Sequence, residues 1–155
     1  IAYRPGPRSA RKRAALIAAC ERMGLTPDPE RIETLIDHFS SLEAWPDAAE
    51  VLIFLRERGV RTALLSNFSP SMLAGCLRTS GLDRAVDSAI STDVAKTYKP
   101  ATAAYRLGEQ FMGIPREEIV FCAFAGWDAF GAKAYGYRTF WNNRASAPRE
   151  RIGQP

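Results

Sequence analysis

The chain has 155 residues, 46% of them hydrophobic and 25% charged, with a net charge of +4, which is the make-up of an ordinary soluble domain and points to one folding unit with at most a small satellite. No apolar run approaches the ~18 residues of a membrane span, and residues 1–8 lack the apolar core of a secretion signal. The cysteines Cys20, Cys76 and Cys122 are scattered through apolar segments without metal-ligand spacing, so reduced thiols in a cytoplasmic protein are expected.

Much of the positive charge lies in Arg4, Arg8, Arg11, Lys12 and Arg13. No aromatic-rich or glycine-rich nucleic-acid module accompanies it, so a solvated face is expected and no nucleic-acid partner. These cations crowd the start of the first predicted helix, residues 9–23, where the macrodipole disfavours them. Ser9 is its expected cap and Gly24 its stop. Asp28-Pro29 then reads as a cap followed by proline at the first helical position, with Ile32, Leu35, Ile36 and Phe39 at helical spacing. The pair forms an α-hairpin over residues 9–41. His38, the single histidine, has no carboxylate or cysteine at motif spacing and is given no role.

From residue 46 the pattern changes. Asp47 is expected to cap a helix ending near Gly59. Strands are expected at 61–65, 85–90, 119–124 and 137–141, and helices at 69–79, 100–112 and 127–135. Short strands alternating with helices of this length mean βαβ units and a parallel sheet, with all strand C-termini on one edge. Residues 144–155, polar and rich in Pro and Gly, read as a loose tail.

Three places on that edge could carry chemistry. Ser66 and Asn67 follow the first strand beside a helix start, a position suited to anions; Ser69 and Pro70 behind them are explained as helix cap and first turn. Lys99, between Tyr98 and Pro100, is electrostatically wrong for a helix start unless it faces a negative group, and otherwise reads as a surface lysine. Tyr105 on the following helix reads as core. Asp128 either charges the first turn of its helix or is a buried carboxylate paired with Lys99. Open α/β sheets place their chemistry just past such strand ends, so the three sites are expected to converge.

The segments Leu65-Ser66-Asn67-Phe68-Ser69-Pro70, Tyr98-Lys99-Pro100 with Tyr105, and Gly126-Trp127-Asp128-Ala129-Phe130-Gly131-Ala132 resemble, in order and spacing, the second, third and fourth motifs of the haloacid dehalogenase superfamily. The Trp-Asp form and the run from Gly136 to Arg144 resemble its type II (S)-2-haloacid dehalogenases. The likeness implies an α/β fold: a Rossmann-like parallel sheet flanked by helices, with a partial helical cap. Residues 1–45 would be that partial cap and residues 46–155 the core lacking its first strand.

The resemblance implies hydrolytic dehalogenation of short (S)-2-haloacids to (R)-2-hydroxy acids through an aspartyl ester, without metal or other cofactor, in a family that tends to form homodimers. It implies that Ser66 binds the substrate carboxylate or the nucleophile, and that Asn67 neighbours the halide site. Lys99 would hold the nucleophilic carboxylate charged, with Tyr105 supporting the network. Asp128 would pair with Lys99 and help activate water, and Trp127 would wall the pocket.

Two departures stand out. The aspartate followed by x-x-Gly-Thr that carries the nucleophile is absent, so an upstream segment is expected and the chain as supplied is expected to be inactive. Ala123 and Ala125 replace a frequent Ser-x-Asn. The alternatives are a Mg²⁺-dependent phosphatase of the same superfamily, which needs paired carboxylates where the fourth motif offers only Asp128, and a non-catalytic homologue.

Overall fold

The computed structural model describes residues 8–148; the expectations for Arg4 and for 149–155 lie outside the described residues. Helices α1 (Arg8–Arg22) and α2 (Pro29–His38) form the expected hairpin. Asp28 accepts hydrogen bonds from the amides of Glu30 and Arg31 at 3.0 and 3.3 Å, with Pro29 behind it, as the sequence predicts. Ser9 is not a cap but lies inside α1. Ile32 and Ile36 are buried against Leu16, Ile17 and Cys20, and Met72, Phe39 and Phe68 complete the cluster.

The cations of α1 do not form a purely solvated face. Arg11 lies over the Tyr98 ring at 5.3 Å, Lys12 over Phe39 and Phe68 at 3.8 and 4.1 Å, and Arg13 pairs with Glu33. Aromatic faces and one carboxylate supply the negative potential that the helix N-terminus does not. His38 is exposed, its Nδ1 meeting the Thr34 carbonyl, in keeping with no role.

Then follow α3 (Ala48–Glu57), β1 (Ala63–Ser66), α4 (Pro70–Ser80), β2 (Ser88–Ser91), a 3-10 helix (Thr92–Ala95), α5 (Thr102–Met112), a 3-10 turn (Arg116–Glu118), β3 (Val120–Ala123), α6 (Gly126–Tyr135) and β4 (Arg138–Trp141). Asp47 makes no side-chain cap on α3: its backbone is helical (φ −87°, ψ −8°) rather than extended as at Asp28, and its carboxylate receives Arg144 at 2.6 Å. β2 begins three residues later than predicted: Ala85 and Val86 are spent packing on Leu77 and Leu82 beyond the end of α4, and the Asp87 carboxylate ties to the Thr62 amide at 2.7 Å.

Both strand pairs are parallel, β1 with β2 and β3 with β4, each joined through a helix. They are not one continuous sheet: β1 and β3 are not hydrogen-bonded to each other. The Thr62 carbonyl bonds toward β2, so by alternation Ala63 and Leu65 turn their backbone groups to the opposite edge. On β3 the Ala123 carbonyl bonds the Asn142 amide just past β4, which leaves Cys122 facing away. Parallel strands ordinarily lie buried on both faces, yet Val120 is 62% exposed and Phe140 61%. Behind the site, Tyr105, Ala132, Tyr135 and Tyr137 form a buried cluster with Leu65, Ile119 and Phe121 packed on it. Among the described residues no helix is long and apolar enough to cross a membrane.

Candidate active site

The predicted convergence is present. Asp128 is the third residue of α6, where the helix dipole favours a carboxylate. Lys99 is not at a strand end: it lies on the loop between the 3-10 helix and α5, from which its side chain reaches back to the edge of β1. Its ammonium donates to Asp128 Oδ2 at 2.6 Å and to the Leu65 carbonyl at 3.0 Å. Both side chains are only 10% exposed, so each charge is stable there chiefly because the other is present. Tyr105, completely buried, donates to Asp128 Oδ1 at 2.9 Å. Burial, and then the bond to Asp128, hold this phenol well above its ordinary pKa, so it remains a donor at neutral pH.

Both oxygens of Asp128 are therefore held by donors, and it is a poor candidate for nucleophile. Lys99 uses two of its three N–H donors on groups of the described chain. The third meets no hydrogen-bond acceptor among the described residues, and the Phe121 ring centre lies 5.4 Å from the ammonium.

Ser66 and Asn67 stand beside this pair with their polar atoms engaged. Ser66 Oγ accepts the Phe68 amide at 3.1 Å, which closes the turn after β1. Asn67 Oδ1 accepts the Lys99 amide at 2.8 Å and its Nδ2 donates to the Lys99 carbonyl at 3.4 Å. Trp127 is half-buried and lines a cleft of 440 Å³ with Pro100, Thr102, Phe130 and Tyr135; Lys99 and Asp128 are not part of that lining. Sequence reasoning missed Ser91 and Thr92. The first donates to the Phe68 carbonyl at 2.6 Å and the second to Asn67 Oδ1 at 3.1 Å. The signal was two hydroxyls closing the short strand Ser88–Ser91, at the edge where such sheets carry polar groups.

Ala123 is buried and Ala125 is the N-cap of α6, with no side-chain cap hydrogen bond. No three His, Cys, Asp or Glu side chains gather as metal ligands among the described residues.

The family model for haloacid dehalogenase-like hydrolases matches residues 3–136. The chain belongs to that family. Among curated relatives, haloacetate dehalogenase H-2 of Moraxella sp. (strain B) is 38% identical over 140 residues, 90% of this chain and 62% of the relative. The (S)-2-haloacid dehalogenase of Pseudomonas sp. (strain YL) is 35% identical over 140 residues, 90% of this chain and 60% of its own. The structure of the L-2-haloacid dehalogenase of Xanthobacter autotrophicus with chloropropionic acid covalently bound superposes with a TM-score of 0.77 at 30% identity. It covers 86% of this chain and 54% of that one. The chain thus spans about 60% of the length of these curated relatives. This family membership and the α/β fold agree with the reading from the motifs.

Proposed function

We propose that the complete protein is a hydrolase that releases halide from short (S)-2-haloacids. A carboxylate displaces the halogen at C2, forming a C–O bond as the C–X bond breaks and the halide departs. Water then attacks the ester carbonyl, freeing the (R)-2-hydroxy acid and restoring the carboxylate, with one of the water's protons going to the leaving alkoxide oxygen and the other to solvent. The observation that carries this reading is the Lys99 ammonium, buried against Asp128 and bonded to the Leu65 carbonyl at the edge of β1 that no described strand pairs with. A cation so placed keeps a neighbouring carboxylate ionised and fixed in orientation, which a nucleophile requires.

That carboxylate belongs, on this reading, to a strand lying between β1 and β3. The unpaired inner edges, the exposed Val120 and the greater length of the relatives all support such a strand. Asp128 would help activate the water, Tyr105 would hold Asp128, and Ser66 and Trp127 would lie along the substrate's path. The free cysteines support a cytoplasmic setting. On this reading the positive charge beside Asp128 is supplied by the Lys99 ammonium, and the reaction is expected to run without metal.

The test is halide release from (S)-2-chloropropionate by the complete natural protein in EDTA, beside a generic phosphate ester with Mg²⁺. Halide in EDTA supports the proposal, whereas phosphate release alone moves the assignment to the phosphatase. The 155-residue chain by itself is expected to release none.

A further inference from the structure

Where β2 ends, the chain turns into the 3-10 helix, and the first residue of that turn, Thr92, is completely buried. Its hydroxyl donates to Asn67 Oδ1, the same oxygen that takes the Lys99 amide, while Asn67 Nδ2 meets the Lys99 carbonyl. Asn67 therefore grips both main-chain polar groups of the residue whose ammonium meets Asp128. The Lys99 N–H and carbonyl fix which end of that amide carries the oxygen, and the Thr92 hydroxyl donates to that oxygen as a second donor. Ser91, the residue before, secures the same loop through the Phe68 carbonyl.

We propose that Thr92 is a positioning residue: through Asn67 it fixes the root of Lys99, and so the place where its ammonium meets the reacting carboxylate. A lysine has a flexible four-carbon stem, so where its ammonium sits depends on an anchored main chain. The assignment rests on the dehalogenase reading and adds to it a residue just past the end of β2, a strand that carries none of the resembled motifs.

Thr92→Val removes the donor and keeps the shape; Thr92→Ser keeps the donor. In the complete natural protein, Thr92→Val is expected to lower kcat for (S)-2-chloropropionate about tenfold, the scale of one lost hydrogen bond at its upper range. KM should stay within about twofold, and Thr92→Ser should return kcat to within about twofold of wild type, because only anchoring changes. In parallel, amide hydrogen exchange reads the Lys99 N–H directly, and it should quicken in Thr92→Val but not in Thr92→Ser. Unchanged kcat in Thr92→Val, or a Thr92→Ser as slow as Thr92→Val, overturns the proposal. A wild-type protein that releases no halide sinks the functional reading instead. The exchange measurement then decides the clamp: a faster Lys99 amide in Thr92→Val supports it, and an unchanged one overturns it.

Discussion

At the scale of single residues the site is a buried ion pair held from both sides. Removing the cation strands a carboxylate that has left water, so Lys99→Ala should cost about 3 kcal/mol of stability. In the complete protein the same change should lower turnover about 10²–10³-fold through loss of a preorganised charge. Thermal melts and steady-state halide release check the two effects; full activity in Lys99→Ala would remove the ammonium from the account. Tyr105→Phe takes the donor from Asp128 Oδ1 and should cost about 1–2 kcal/mol, read by denaturant unfolding. Asp128 was legible in the sequence because it sits in the first turn of α6, and Lys99 because a cation just ahead of a predicted helix start calls for a negative partner. The engagement of Asn67 was not, since its partners lie 25 and 32 residues away in the chain.

At the scale of elements, the alternation of apolar runs with capped helices gives the order of strands and helices, because short-range signals decide where each begins. Asp28 behaves as its sequence neighbours dictate, whereas Asp47 does not: its backbone is already helical where a capping residue is extended, and its carboxylate turns to a long-range partner, Arg144. Ala125 leaves the first turn of α6 without a side-chain acceptor. Ala125→Asn should therefore stabilise the protein by about 1 kcal/mol, seen as a raised melting temperature; an unchanged or lower one would mean that the α6 amides are already satisfied. Helix α6 also lies close against α5. A Cβ on Gly131 would stand 2.5 Å from the Tyr105 hydroxyl and 2.8 Å from Pro100 Cβ. Gly131→Ala should destabilise by about 2 kcal/mol and loosen the Tyr105–Asp128 bond, measurable by chemical denaturation.

At the scale of the whole molecule, two parallel strand pairs flank the Lys99–Asp128 pair without sharing a hydrogen-bonded ladder. The sequence predicted a single sheet; the described residues form two strand pairs, because no strand among them bridges the facing edges of β1 and β3. Below the edge, the tyrosine cluster makes the fold sensitive to alkali. Burial first, and then the charge of Glu109, push the Tyr137 phenol from its ordinary 10.0 up to about 12. The stability it contributes is complete below pH 10 and is lost as pH rises through about 12. Tyrosinate absorbance and circular dichroism should thus change together over that interval; free titration of every tyrosine in a folded protein would contradict the packing. The central claim is that Lys99 serves a carboxylate that becomes covalently bound to substrate. Its most direct test is a single turnover of (S)-2-chloropropionate by excess complete protein in ¹⁸O-labelled water. The account predicts unlabelled oxygen at C2 of the first product, with the label in a protein carboxylate; label at C2 of that product would mean direct attack by water and would contradict it.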